Sequence, residues 1–271
     1  MRLGETVRRI KADNWYRDQY DEYIEHRDVA AERKYIEQIM QRPEAQRKGK
    51  WSASDSGSCL RRRQFTYLEM PKKKPNSRAM NIFANGDYVH IRHQAFGFAG
   101  EFITAAEIPI VIPTYNLRGT ADAIASNGDG LEYKSINERG FARLATFGPD
   151  KKHIEQIHAY DLALDLKKWR LIYENKNTQD IAEFVIEIDP EISAKIVSEL
   201  SILNTSTNQH ELYPMLRECL QETGFDYTYC PYNHNCMEDQ TWPTQKSGSS
   251  RKRDLKLVIL PTSSSDKNSS A

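Results

Sequence analysis

The chain has 271 residues, 39% hydrophobic and 28% charged, which is enough for one substantial core with appendages but not for two full-size domains. Its 38 basic and 38 acidic residues cancel, so no overall field announces a polyanionic partner, and any such partner must be held by local charge. No apolar run is long enough to span a bilayer and the N-terminus lacks the apolar core of a secretory signal, so the expectation is a cytoplasmic protein.

From Asn14 to Met40 the sequence is charge-rich with scattered Tyr, Ile and Val, which predicts one or two exposed helices, ended by Pro43 and the basic run to Lys50. Ser52 to Met70 offers polar N-caps ahead of a helix carrying Cys59, Arg61, Arg62, Arg63, Phe65 and Tyr67, closed by Pro71 and Pro75. A further helix is expected over Ala79 to Gly97. The period then changes to that of strands over Phe102 to Pro113, Leu117 to Ser126 and Leu131 to Ile136, the last two joined by the hairpin signal Asn127-Gly128-Asp129-Gly130. Pro149 to Leu166 has helical spacing, Trp169 to Glu174 and Ile181 to Ile188 read as strands, and a helical region runs from Pro190 to about Thr223 with a break near Asn204 to Asn208. Past Pro243 the composition predicts a disordered tail whose apolar patch, Leu255 to Leu260, suits a protein partner. This order gives an α/β fold, a central mixed sheet flanked by helices with an N-terminal helical elaboration. The expected division is a helical extension over 1–50, a catalytic domain over 51–240 and the tail over 241–271.

The stretch RGTADAIASNGDGLEYK, Arg118 to Lys134, is the most informative. Glu132 and Lys134 are two apart on a strand and project from one face of the sheet, with Asp122 on the strand before the turn. Two carboxylates converging on one point offer oxygen ligands to Mg²⁺ or Mn²⁺, and the lysine beside them can stabilise charge on a reacting phosphate or orient a water. Taken alone, E-x-K more often marks a surface salt bridge. The turn sets a condition: a tight two-residue loop at Asn127-Gly128 would put Asp122 opposite Tyr133, on the wrong face, so the site requires a three-residue loop, a bulge or a strand bend. His90 stands one turn after Gly86 on the preceding helix, where a neutral imidazole can add a metal ligand, with His93 as a rival. Gln156 and Tyr160 are four apart on one helix face, within reach of a phosphate or base, although that spacing alone fits an ordinary polar pair. The basic segment of Arg61, Arg62, Arg63, Lys72, Lys73, Lys74 and Arg78 suits a phosphate backbone, with Phe65 or Tyr67 as stacking surfaces; a solvated helix face and basic loop are the plainer reading.

Together, the helical His90, G-x-x-D at Gly119 to Asp122, E-x-K at Glu132 to Lys134 and Q-x-x-x-Y at Gln156 to Tyr160 resemble the RecB-like branch of the PD-(D/E)xK nuclease superfamily, which includes CRISPR-associated and phage iron-sulfur exonucleases. The resemblance covers about Ser52 to Cys236 and implies a restriction-endonuclease-like core. It implies that His90, Asp122 and Glu132 hold the metal with the Tyr133 carbonyl, that Lys134 is catalytic and that Gln156 and Tyr160 position DNA. It gives Glu107 a lesser place in the site and reads Asp87 and Glu155 as surface charges.

Four cysteines in a chain without a secretion signal point to a metal site or free thiols before disulfides. The resemblance implies a 4Fe-4S cluster on Cys59, Cys219, Cys230 and Cys236 that staples the ends of the domain, though it would place a cysteine where Tyr227 stands and this chain offers Cys219 instead. Structural Zn²⁺ on the same thiolates, or with His234, and buried free cysteines stay open. The function expected is a metal-dependent DNA exonuclease acting on single strands or DNA ends, in repair, recombination or viral DNA metabolism. A structure-selective endonuclease and a DNA-end binding module acting through a partner are the alternatives.

Overall fold

The computed structural model describes residues 13–40 and 49–238. In chain order these form α1 (Trp15–Glu25), α2 (Val29–Met40), β1 (Trp51–Ser52), α3 (Leu60–Tyr67), α4 (Ser77–Ala99), β2 (Ile103–Ile112), β3 (Leu117–Ala125), β4 (Gly130–Ile136), α5 (Glu138–Phe147), α6 (Lys151–Leu164), β5 (Lys168–Asn175), β6 (Ile181–Glu187) and α7 (Pro190–Asn208), followed by the short helices α8 (Arg217–Leu220), α9 (Gly224–Thr228) and α10 (Asn233–Glu238). Four long helices start where a polar side chain satisfies an orphan amide: Asn76 accepts from Ala79 N–H, Asn137 from Gly140, Asp150 from Lys152 and Asp189 from Glu191.

The six strands make one mixed sheet, as the order of elements predicts. Antiparallel β2 follows one edge of β3 from Ile112↔Leu117 to Ile103↔Ala125. The other edge of β3 is shared: the short β1 runs parallel to it at Leu117 and Arg118, and β4 pairs antiparallel with it only at Ala123↔Leu131 and Ile124↔Gly130. Between those two neighbours the edge of β3 from Gly119 to Asp122 is left unpaired. Parallel β4 and β5 occupy the centre, with antiparallel β6 beyond them. β5 is buried along nearly its whole length, the mark of a strand covered on both faces.

One face packs under α6 and α7, with Trp51, Ile110, Leu117, Ala121, Ile157, Tyr160, Trp169, Leu171 and Leu200 in its core. The other packs under α1 and α4, with Tyr16, Phe96, Phe102, Ala123, Leu131, Tyr133 and Ile172. α1 therefore joins the core through Tyr16, which is fully buried, and Tyr23.

The sequence-based outline differs from the fold in a few places. α3 is confined to Leu60–Tyr67, because Trp51 and Ser52 are drawn into β1 and a 3-10 turn, Ala53–Asp55, follows. α5 fills a stretch to which the sequence reading assigns no element; its Phe141 and Leu144 pack on the first core while Arg139 and Arg143 stay on the outer side. α7 continues through Asn204, whose Oδ1 accepts the Trp51 indole N–H at 2.7 Å, so the break falls after Asn208. Pro43, the tail past Pro243 and the Leu255 to Leu260 patch lie outside the described residues. No helix among the described residues is long and apolar enough to cross a membrane.

Candidate active site

The turn between β3 and β4 satisfies the condition set by the sequence. Ala125 N–H donates to Asp129 O at 2.9 Å, which leaves Ser126, Asn127 and Gly128 as a three-residue loop with Gly128 at φ 87°. Continuing the register from Ala123↔Leu131 sets Asp122 opposite Glu132. The ladder stops there, because the Asp122 carboxylate takes the place of a backbone acceptor: Tyr133 N–H donates to Asp122 Oδ2 at 2.8 Å. The strand also changes face at this point, since Ala121 belongs to the α6 side of the sheet and Ala123 to the α4 side. β2 does the same, with Ala106 on the α4 side and Ile108 on the other, and the residue between them, Glu107, is left-handed at φ 53°. A non-glycine residue in that region costs of order 1–3 kcal/mol and persists only where its surroundings impose it.

An open cleft above this irregularity is lined by Asp87, His90, Glu107, Asp122, Glu132, Lys134, Gln156 and Tyr160, with Ser52, Ser54, Ile91, Gly119 and Thr120 around them. Gly119 permits the close approach of its neighbours: a Cβ there would lie 2.8 Å from that of Ala53 and 3.2 Å from the Tyr160 ring. The structure thus gathers His90, Asp122, Glu132, Lys134, Gln156 and Tyr160 into one place from α4, β3, β4 and α6.

Polar contacts inside the cleft are dense. His90 Nδ1 lies 3.4 Å from Asp122 Oδ1. The Lys134 ammonium donates to Glu132 Oε1 and, at 3.0 Å, to Gln156 Oε1. Gln156 Nε2 donates in turn to Glu132 Oε1 at 2.7 Å and to the Tyr160 hydroxyl at 2.6 Å. Gln156 and Tyr160 are largely buried yet line the cleft, and the Gln156 amide links the carboxylate and the lysine to the Tyr160 hydroxyl. Gln94, which the sequence reading did not single out, is buried beneath the cleft and donates from one amide nitrogen to Glu107 Oε1 at 2.7 Å and to Asp122 O at 3.1 Å. Its signal was available: Asp87, His90, Ile91 and Gln94 follow helical spacing.

Burial and the Asp122 charge push the Glu132 carboxyl up to about 7. Burial acts on Asp122 in the same direction, but His90, Lys134 and the Tyr133 amide outweigh it and hold it below the ordinary carboxylate value. For His90 burial acts downward, and the neighbouring carboxylates carry it up to about 9. Lys134 is held above the usual lysine value by Glu132 and Asp122 against the effect of burial.

As the side chains stand, no three His, Cys, Asp or Glu residues among those described are close enough to hold a metal ion. The donor set fits one all the same. Glu132 Oε2 is buried without a hydrogen-bond partner beside a second carboxylate, and an orphan of this kind costs of order 1–3 kcal/mol unless something satisfies it. An imidazole and two carboxylates suit a hard divalent cation.

Comparison with known proteins leaves the function to be argued from this geometry. No family model matches the chain, and no curated protein matches it. Among solved structures it is similar to SSO0001, with a TM-score of 0.46 and 19% identity over 78% of this chain and 96% of that one. It is also similar to LHK-Exo in complex with dAMP, with a TM-score of 0.49 and 16% identity over 60% of this chain and 90% of that one. A further structure of LHK-Exo, described as an alkaline exonuclease from Laribacter hongkongensis, has a TM-score of 0.46 and 14% identity over the same shares.

Several expected site residues lie elsewhere. Arg61 and Arg63 are buried: Arg61 donates to Tyr213 O at 3.1 Å, and Arg63 pairs with Glu199 at 3.0 Å. Half-buried Arg62 faces Asp55 at 3.6 Å. The arginine triplet therefore holds α3 to α7 and its surroundings, and Arg61 and Arg63 cannot meet a DNA backbone. Phe65 is fully buried against Tyr232 and offers no stacking surface, while half-buried Tyr67 already stacks one ring face on Trp51, at 4.3 Å between centroids. His93 lies in the α1 core, hydrogen-bonded to the Tyr16 hydroxyl and to Glu174, at 2.8 Å each. Glu155 is a buried partner of Lys195 at 2.7 Å instead of a surface charge.

All four cysteines are free thiols. Cys236 and Cys230 join Phe65 and Tyr232 in a small separate cluster. Burial raises the Cys219, Cys230 and Cys236 thiols, and Cys59 contributes to each shift, which places it within electrostatic reach of the three C-terminal cysteines. α3 meets the C-terminal segment where Phe65 packs with Tyr232, Cys230 and Cys236. The thiols do not stand as a ready-made metal site.

Proposed function

We propose that this protein is a metal-dependent DNA nuclease that hydrolyses phosphodiester bonds, acting as an exonuclease on single strands or DNA ends. The observation that carries this reading is the unpartnered, buried Glu132 oxygen beside Asp122 in an open cleft, with Lys134 and His90 at hand. His90, Asp122 and Glu132 would hold Mg²⁺ or Mn²⁺, with the Tyr133 carbonyl as a further donor. A bound cation of this kind supplies Lewis-acid polarisation of the phosphate and acidifies water. Lys134 carries the positive charge toward which a reacting phosphate's negative charge grows, and it can orient the attacking water. Gln156 keeps Lys134 and Glu132 in register by bonding to both.

Glu132→Ala is expected to abolish Mn²⁺-dependent digestion of end-labelled DNA while leaving DNA binding in place; unchanged digestion would remove the assignment. Covalently closed single-stranded circles should survive wild-type protein, and their cutting would make it an endonuclease. DNA binding without any digestion would favour the end-binding module. The cysteines are proposed to hold a 4Fe-4S cluster, with structural Zn²⁺ as the alternative. Anaerobic purification should give brown protein with visible absorption, whereas colourless, zinc-containing protein would decide for the alternative.

A further inference from the structure

The same structure that buries Arg61 and Arg63 leaves the rest of the basic segment outside. From Pro71 to Gly86 the chain carries Lys72, Lys73, Lys74 and Arg78 and no acidic residue, in a protein whose charges otherwise balance. These cations are exposed, and among the described residues none of them pairs with a carboxylate. Where this stretch enters α4 it borders a second cleft, lined by Arg78, Asn81, Ile82 and Asn85 on one side and by Lys176 and Asn177 on the other. The four helical residues recur at three- and four-residue spacing, so they form a single stripe along α4. Lys176 likewise has no carboxylate partner among the described residues.

Both walls of this cleft are tied to the candidate active site. α4 also carries His90: at 1.5 Å of rise per residue, Asn85 lies about 8 Å and Arg78 about 18 Å along the axis from it. The opposite wall is fixed to the end of β4, since Lys176 N–H donates to Ile136 O at 2.8 Å and Asn177 Oδ1 accepts from Glu138 N–H at 3.0 Å. Ile136 is two residues beyond Lys134. A cleft so placed presents two cations for phosphates, the carboxamides of Asn81 and Asn85, which can both donate to and accept from base edges, the Asn177 amide nitrogen as a further donor, and Ile82 as an apolar surface, while the adjoining loop adds three lysines. Cations on both walls with amides between them suit a nucleic-acid strand path.

We propose that the cleft between the N-terminal half of α4 and the turn joining β5 to β6 binds the single-stranded nucleic acid flanking the reacting phosphate. This rests on the nuclease reading for the identity of the polymer. It gives the role expected of the buried Arg61 and Arg63 to Arg78 and Lys176, with Asn81, Asn85 and Asn177 as the uncharged contacts.

The test uses the full chain and a fluorescein-labelled oligothymidylate in Ca²⁺ buffer, with binding followed by anisotropy across a salt series. Arg78→Glu with Lys176→Glu should weaken binding by at least ~10-fold and flatten the salt dependence by about two phosphate contacts. Arg78→Gln with Lys176→Gln should do the same to a smaller degree, with an unchanged melting temperature. Mn²⁺-dependent hydrolysis of bis(p-nitrophenyl) phosphate, too small to reach the cleft, should be unaffected by either pair. Oligonucleotide affinity within about twofold of wild type in a folded variant would overturn the proposal, given that each phosphate contact is expected to change the salt slope by about one. So would a polyglutamate peptide that binds wild type more tightly than the oligonucleotide and loses that affinity in the variants, since the occupant would then be an acidic protein segment. Loss of small-ester hydrolysis in Glu132→Ala but not in the cleft variants keeps the two readings separate. Absence of hydrolysis from wild type would strike the nuclease reading alone.

Discussion

Gln156 shows how a residue picked from spacing acquires its role from its neighbours. The sequence allows it to touch a phosphate or a base; in the fold, its amide is spent on Lys134, Glu132 and Tyr160. Gln156→Leu should therefore lower kcat by roughly 10- to 100-fold, in line with the loss of a group that orients a ligand, with KM little changed. Steady-state kinetics would refute this if KM rose while kcat held. His153 makes a second residue-scale case. Asp150 N–H donates to the Tyr173 hydroxyl at 3.0 Å and that hydroxyl lies 2.7 Å from His153 Nδ1, an arrangement that suits a neutral imidazole accepting the phenol proton. Burial, with Lys134 nearby, pushes His153 down to about 3. Its folded value lies below its unfolded one, so the unfolded chain takes the proton first. Stability is unaffected by this group above about pH 6.5 and falls as the pH drops from there toward 3. His153→Gln should flatten the dependence of melting temperature on pH in that window, and an unchanged slope would show that other groups control it.

At the scale of elements, the β3–β4 hairpin decides whether the site exists. The three-residue loop sets Asp122 opposite Glu132, and the unpaired edge from Gly119 to Asp122 leaves that carboxylate free to accept the Tyr133 amide. At the far end of the same ladder, Gly130 lies beneath the indole of Trp169: a Cβ there would sit 2.4 Å from the ring, which is fully buried and cannot withdraw. Gly130→Ala should cost about 1–3 kcal/mol, the usual range for overpacking, seen as a lower urea midpoint. It should also reduce activity by shifting the strand that carries Glu132. A variant as stable and active as wild type would mean that the strand yields more easily than the packing implies. Most of this hairpin was legible in the sequence, because alternation and turn chemistry are local. β1 was not, since a two-residue strand exists only by pairing with Leu117 and Arg118.

Across the whole molecule, the N-terminal segment is locked to the sheet by one arginine. Arg170, almost wholly buried on β5, pairs with Asp129 at 2.6 Å, Glu183 at 2.5 Å and Asp13 at 3.0 Å, and Glu183 also accepts the backbone N–H groups of Tyr16 and Arg17. The ring of Trp15 covers the guanidinium at 5.1 Å. Arg170→Met would strand buried carboxylates and should cost about 3–5 kcal/mol, measurable by chemical denaturation. It should also increase hydrogen exchange in α1. A loss under 1 kcal/mol would show that water replaces the guanidinium, as it does at exposed pairs worth about that much.

The sequence by itself determined the class of fold, the order of most elements and the short list of groups able to do chemistry, because hydrophobic period, caps and turn residues act over a few neighbouring positions. His90, Asp122, Glu132, Lys134, Gln156 and Tyr160 were all on that list. Only the tertiary structure decided which of them share a cleft and which cations remain available to a partner. Arg61 and Arg63 look as exposed in sequence as Arg78 does, yet the first two are enclosed by α7 and the segment after it, packed from more than a hundred residues away, while Arg78 is left at the rim of an open cleft. Charge is written in the sequence. Its exposure is settled by what the rest of the chain packs against it.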